Sequence, residues 1–288
     1  TARESNGLIE SPCYKHAMDD RKLSCMSCHG MHSEAKDPAS LKEWADDQLK
    51  PGMRTNQACL QCHADMKGRL AEHTHHAPDS SGSLCYNCHM SYTAYGLHKA
   101  VRSHEIDSPS TLTSLQTGRP NACNQCHLDQ TLEWTARNLE DWYDIPAPEL
   151  SEDDRRIAAS VRWLLEGDAG QRALIAWSMG WEPAMNASGD EWMAPYLAQL
   201  LVDPYDAVRY IALRSLRRLP GFKDFTYDYL AANDELQEGM IQARQIWGTR
   251  SQPRPDNKLL ILGPGSLKQD SFDRLLRNRD ESPVYLQE

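Results

Sequence analysis

Residues 25–32 read CMSCHGMH: two cysteines separated by two residues, a histidine directly after the second cysteine, and another histidine three residues later. The C-x-x-C-H part of this stretch occurs four times in the first 130 residues. This spacing is the attachment signal of c-type haem, in which the thiols form thioethers with the vinyl groups and the histidine ligates iron. We predict four haem c groups, with thioether residues Cys25, Cys28, Cys59, Cys62, Cys85, Cys88, Cys123 and Cys126, and proximal ligands His29, His63, His89 and His127.

Two other interpretations of the paired cysteines explain less of the pattern. Four C-x-x-C pairs can form two zinc ribbons of four cysteines each, and the same residues can form a disulfide framework. Neither a zinc ribbon nor a disulfide framework requires a histidine directly after the second cysteine of each pair, whereas haem attachment does. The four repeated histidines therefore favour haem.

The seven histidines outside the motifs can supply the second axial ligand of each iron. Four such ligands are needed on four haems, so the supply favours bis-histidine coordination throughout. His73 and His76 are three residues apart and are expected on one helix face, from which they serve two adjacent haems. We predict the distal ligands His32, which points to a neighbouring haem, His73, His76 and His104.

Several other residues are weaker candidates for ligation. His16 and His98 have no such supporting pattern, and Met31 and Met90 lie beside motifs, although methionine more often serves packing. Cys13 has no second cysteine at the attachment spacing. It is interpreted as a free thiol or half of an intermolecular disulfide, or as the tether of a fifth, singly linked haem.

Composition divides the chain into two parts. Residues 1–130 are poor in Val, Ile and Phe and contain all nine cysteines and all eleven histidines. Side chains alone cannot build a sizeable core there, so we expect loops and short helices wrapped on haems. The net charge of −10 argues against a nucleic-acid partner, and no apolar stretch is long enough to span a membrane. No signal peptide is visible at the start, so we expect a mature form or a fragment.

Residues 150–250 carry Leu, Ile, Ala and Trp at helical spacing and no catalytic constellation. We predict a capping box at Ser151 and Asp154 opening a helix that ends near Gly167. Helix pairs at intervals of about 35–40 residues are typical of an α-solenoid. Its function is interpreted as a docking surface or a structural buttress. Further helices are predicted over about 169–179, 190–202, 205–219, 224–232 and 234–248.

Five stretches together resemble a family of multihaem c-type cytochromes that carry C-terminal HEAT or tetratricopeptide repeats. They are ESPCYKHAMDDRKLSCMSCHGMHS, NQACLQCH, HTHHAPDSSGSLCYNCHM, YGLHKAVRSHEIDSPS and GRPNACNQCHLDQTLEWTARNLEDWY; DPYDAVR at 203–209 is similar to the HEAT signature. The resemblance covers about residues 10–250. It implies haem attachment in the periplasm or outside the cell and bis-histidine electron-transfer haems. Its histidine pattern falls on His32, His73, His76 and His104.

We therefore predict a mainly α fold with much irregular structure. A haem-packed tetrahaem cytochrome c domain is expected at residues 1–140, a HEAT-like α-solenoid at 150–250, and an extended tail at 251–288 that lies across another surface or subunit. The solenoid and the tail are candidate docking surfaces.

The expected function is respiratory electron transport, one electron at a time, to redox partner proteins. Copies of this chain or other cytochromes are candidate partners, in a larger redox assembly or an extracellular filament. The alternative is an enzyme that reduces nitrite or hydroxylamine at one open haem, which the surplus of histidines disfavours. We expect an electron-transfer protein rather than an enzyme.

Overall fold

The computed structural model of the protein describes residues 3–18, 21–33, 36–95 and 97–284. The fold is mainly helical, which confirms the predicted class. The chain separates into two compact units, the first formed by Thr1–Ser91 and Arg102–Ser108, the second by Tyr92–Val101 and Pro109–Glu288. This division differs from the predicted boundary at residues 140–150, because helices from 109 onwards pack within the second unit.

The first unit consists of short helices joined by loops. Among its described residues no hydrophobic side chain is buried, and the buried residues are Ser11, Ser83, Asn87 and Ser91. The unit therefore lacks, in its described part, the apolar core that usually holds helices together. Its helices are α1 (Arg3–Glu10), α2 (Pro12–Lys15), α3 (Cys25–Cys28), α4 (Pro38–Asp47), α5 (Gln57–Leu60), α6 (Leu70–Thr74) and α7 (Cys85–His89), with 3₁₀ turns at Ala64–Met66 and Ser81–Ser83.

The second unit begins with strands β1 (Tyr92–Tyr95) and β2 (Lys99–Arg102), which pair with each other; the last residue of β2, Arg102, is counted with the first unit. Helices follow one another through most of the remaining sequence, and a short antiparallel pair of strands precedes the last helix. The elements are α8 (Thr111–Thr117), α9 (Ala122–Cys126), α10 (Leu132–Tyr143), α11 (Glu152–Arg156), α12 (Ala159–Leu165), α13 (Ala169–Ser178), α14 (Glu182–Ser188), α15 (Ala194–Leu200), α16 (Asp206–Leu216), α17 (Asn233–Arg250), β3 (Ile261–Gly263), β4 (Ser266–Leu267) and α18 (Gln269–Arg277).

A continuous hydrophobic core holds the second unit together. Helix α13 packs on α12 and α16, and α15 packs on α16 and α17. Leu164, Leu197 and Val208 are fully buried between these helices. Burial of side chains of this size stabilises a fold by about 1.5–3 kcal/mol each, so the second unit has a driving force that the described part of the first unit lacks.

The predicted helix from Ser151 to Gly167 is wrong in one respect, because it is two helices. The capping box is present: Asp154 N donates to Ser151 Oγ and Ser151 N to Asp154 Oδ2, each at 3.1 Å. Helix α11 then ends, and Ile157 is extended. The amides of Ala158 and Ala159 donate to the carbonyls of Lys258 and Gln130 instead of to the preceding helical turn. These tertiary hydrogen bonds interrupt the helix.

Other segments also differ from prediction. Residues 224–232 are not helical, α14 was not predicted, and α15 is shorter than the expected 190–202. The segment expected as an extended tail forms β3, β4 and α18 instead. Phe272 and Leu275 of α18 are fully buried in the core of the second unit. The segment is therefore part of that unit up to its last described residue. There, Val284 N donates a hydrogen bond to the Tyr205 hydroxyl.

Helices long and apolar enough to cross a membrane do not occur in the described part of the chain.

Candidate haem sites

Each C-x-x-C-H motif lies on a short helical turn. The amide of the motif histidine donates to the carbonyl of the first motif cysteine in three copies, at 2.8 Å for His29, 2.9 Å for His63 and 2.8 Å for His127. In the remaining copy α7 spans the whole motif from Cys85 to His89. One turn of helix therefore fixes the spacing between the two sulfurs and the imidazole in every copy, as thioether attachment requires.

The first motif places its histidine against a residue far away in sequence. The Nδ1 of His29 donates to the carbonyl of Asp47 at 2.9 Å, which leaves Nε2 free to ligate. The ring of His29 faces that of His104, with centroids 6.2 Å apart and an angle of 27° between the planes. The Nδ1 of His104 is buried and has no hydrogen-bond partner.

The third motif repeats this arrangement. The Nδ1 of His89 donates to the carbonyl of Asp107 at 3.0 Å, again leaving Nε2. Its ring lies 6.1 Å from that of His73, with 5° between the planes. Burial lowers the pKa of His89, and likewise that of His104, because a charged ring loses hydration there. Burial thus favours the neutral form of both rings, which is the form that a metal ligand needs.

The centroids of the two histidine pairs are as far apart as those of two imidazoles that share one metal ion. A metal–imidazole bond is about 2.0 Å long and the ring centroid lies about 1.1 Å beyond the nitrogen, so two axial imidazoles have centroids about 6.2 Å apart. The pairs measure 6.2 and 6.1 Å. These separations fit bis-histidine haem iron at the first and third motifs.

The other predicted distal ligands lie in different surroundings. His32 is exposed, as is His63 of the second motif. His76 is half-buried, with Nδ1 2.5 Å from the carbonyl of Thr74. The expectation that His73 and His76 share a helix face is wrong, because α6 ends at Thr74 and His75 caps it in the left-handed conformation. Pairing of His32 and His76 with the remaining motif histidines stays a prediction.

The first cysteines of the second and third motifs lie next to each other. The thiols of Cys59 and Cys85 form a hydrogen bond, which raises the pKa of Cys59 and lowers that of Cys85 to about 7. Burial raises the pKa of Cys88 to about 11 and also that of half-buried Cys13. Thioether formation at these thiols would remove the titrations. The contact places the first cysteines of two motifs side by side.

The fourth motif lies in the second unit and is fixed by its two intervening residues. Asn124 is fully buried; its Nδ2 donates to the carbonyl of Gln130 and its Oδ1 accepts from Thr135 Oγ1 at 2.7 Å. Gln125, also buried, exchanges hydrogen bonds with the backbone of Tyr92. These contacts fix α9 to other segments of the second unit. The two residues between the cysteines therefore have a structural role in this motif. The ring of His127 lies 5.0 Å from Trp134.

Sequence reasoning missed a basic residue that contacts the third motif at several points. The guanidinium of Arg102 lies over the ring of Tyr86, 4.7 Å from its centroid. Its Nη1 donates to the carbonyls of Tyr86 and Met90, and its Nη2 donates to Asn87 Oδ1. Arg102 thereby fastens α7 from outside. Its position two residues before His104 was the available signal, but nothing local connects it to residues 86–90.

The described residues contain no group of three or more His, Cys, Asp or Glu side chains placed to hold a metal ion. A c-type haem iron takes two axial side chains, so the histidine pairs are the relevant arrangement. Comparison with known proteins found no matching family model, no matching curated protein and no matching solved structure.

Proposed function

We propose that this chain is a multihaem c-type cytochrome that transfers electrons through four covalently bound haems. The observation that carries the proposal is that two motif histidines, His29 and His89, each face a distant histidine at the separation of axial ligands. Bound haem would supply one-electron transfer between ferric and ferrous iron. The four C-x-x-C-H motifs provide the tethers.

The residues of the chain determine what such haems do. An axial histidine on both sides of an iron leaves no position for a substrate, so the paired sites favour electron transfer over catalysis. The carbonyls of Asp47 and Asp107 orient the motif imidazoles by accepting their Nδ1 protons. The absence of buried hydrophobic side chains from the described residues of the first unit further supports macrocycles as its interior.

The finer features follow from the same proposal. The family is that of multihaem cytochromes with C-terminal helical repeats, the second unit is a HEAT-like solenoid, and the protein works in the periplasm or outside the cell. Its partners are redox proteins, which its net charge of −10 would attract through basic patches. Assembly with copies of itself or other cytochromes belongs to this proposal.

The test is production in a host that attaches c-type haem, followed by intact mass, electron paramagnetic resonance and carbon monoxide binding. Four covalent haems, all low-spin and unreactive towards carbon monoxide, are the expected result. Four haems with one high-spin, carbon monoxide-binding iron would favour the reductase alternative. A polypeptide without covalent haem would overturn both.

A further inference from the structure

The N-terminal helix α1 makes a close contact with the backbone that carries His104. A Cβ atom placed on Gly7 would lie 2.7 Å from Glu105 N and 3.0 Å from the carbonyl carbon of His104. Real Cβ atoms do not approach backbone that closely, so only glycine lets the helix lie against these two residues. The contact joins the first turns of the described chain to a segment almost a hundred residues later.

Ser11, directly after α1, adds hydrogen bonds to the same segment. Its side chain is fully buried, although few of the described residues of the first unit are buried. The hydroxyl lies 3.0 Å from the carbonyl oxygens of Gly7 and His104 and donates its single proton to one of them at a time. It also accepts a 2.8 Å hydrogen bond from Ile106 N. Ser11 thus bonds the backbone on both sides of Glu105.

The opposite side of the segment is held by the chain that follows the third motif. Ser103 N donates to the carbonyl of Ser91, and Asp107 N donates to that of His89, both at 3.0 Å. Residues 103–107 are therefore fixed between two supports. Removing the Ser11 support leaves the His104 carbonyl and the Ile106 amide short of a partner, while the other support remains.

We propose that Gly7 and Ser11 are positioning residues that hold His104 at its distance from His29 and so set the axial ligation of the haem at the first motif. The inference rests on the proposed function. A clamp on the backbone is effective because the position of the His104 ring follows that of its own backbone, and the buried Nδ1 makes no hydrogen bond that would hold the ring directly. A shift of about 1 Å is enough to break a bond of about 2 Å between imidazole and metal.

The experiment compares Ser11→Ala and Gly7→Ala with two controls in the second unit. Ser188→Ala removes a hydroxyl that donates to the Ala184 carbonyl at 2.7 Å, and Gly248→Ala adds a methyl whose nearest neighbour lies at an ordinary 3.4 Å. Haem content is measured by intact mass, spin state by electron paramagnetic resonance, and open coordination by carbon monoxide binding.

We expect each of the two variants to retain four haems, of which one becomes high-spin and binds carbon monoxide. Added imidazole should restore the low-spin signal of that haem. The controls should behave as the wild type. Variants with four low-spin haems and no carbon monoxide binding would overturn the inference and leave the proposed function standing. Absence of haem from the wild type would overturn the function itself. If Gly7→Ala does not accumulate, Ser11→Ala, which adds no atoms, decides the question.

Discussion

The imidazoles of His73 and His89 are almost parallel, with 5° between their planes and 6.1 Å between their centroids. His89 ends the third motif helix α7, whereas His73 lies in the last turn of α6. The neighbouring His75 is exposed and left-handed, and so provides a natural comparison for His73.

Substitution of His73 should open one haem. His73→Asn removes the ring facing His89, so one of the four proposed haems should turn from low-spin to high-spin and bind carbon monoxide. His75→Asn is the control, since asparagine tolerates the left-handed backbone there. Electron paramagnetic resonance and optical titration with carbon monoxide measure the change. A high-spin signal in His75→Asn but not in His73→Asn would reverse the assignment.

Covalent attachment predicts the mass of the protein. The polypeptide of 32.7 kDa should gain about 616 Da per haem, or about 2.5 kDa in total. The double variant Cys59→Ser and Cys62→Ser should lose one such increment, because both tethers of the second haem are gone. Cys13→Ser should lose none. A smaller haem increment in Cys13→Ser would instead make Cys13 a tether.

The buried ion pair between Arg172 and Asp203 should be important for the second unit. Both side chains are fully buried, with Arg172 Nε 2.7 Å from Asp203 Oδ2. Asp203→Asn leaves a buried guanidinium without its counter-charge and should destabilise the unit by about 3–5 kcal/mol. Urea unfolding followed by circular dichroism measures it. The exposed pair of Arg156 and Glu152 is the control, and Glu152→Gln should cost less than about 1 kcal/mol.

The ion pair between Asp153 and Arg274 should make stability depend on acid pH. Its hydrogen bonds, 2.8 and 2.9 Å long, lower the pKa of the Asp153 carboxyl in the folded chain. A lowered folded-state pKa stabilises the fold at pH values above the unfolded-state pKa of about 3.9, and this stabilisation is lost as pH falls through the folded-state pKa.

Wild type and Asp153→Asn should therefore differ in urea midpoint at pH 7 and converge as the pH falls below about 4. Both partners are partly exposed, so the difference in the free energy of unfolding at pH 7 should be below about 1 kcal/mol. A difference that grows towards acid pH would contradict the assignment.

The C-terminal helix should contribute to the stability of the second unit. Phe272 is fully buried, and its ring centroid lies 5.8 Å from that of Tyr196. Phe272→Ala should destabilise the unit by about 3–5 kcal/mol because it leaves a cavity in the core. Leu262→Ala, at a side chain that is 54% exposed, should change stability by less than about 0.5 kcal/mol. Equal midpoints for the two variants would mean that α18 is not docked in solution.

Predictions from local pattern and from distant contacts had different outcomes. The capping box of Ser151 and Asp154 is present because both residues belong to one helical turn. The helix beyond it is interrupted by hydrogen bonds to Gln130 and Lys258, which no window of sequence around Ile157 contains. The segment after residue 251 looked extended from its prolines and glycines, yet Phe272 is buried at a helical contact.

By itself, the sequence determined where the four C-x-x-C-H motifs lie, and these are the attachment points of the proposed haems, because two thiols and an imidazole must lie within one helical turn to serve one haem. That requirement concerns five consecutive residues, so the spacing of cysteine and histidine in the sequence is enough to meet it. Only the tertiary structure decided that His104 faces His29 and that His73 faces His89. An axial ligand can come from any part of the chain that folds back onto the ring, and no local spacing encodes the packing of Gly7 and Ser11 against residues 104–106.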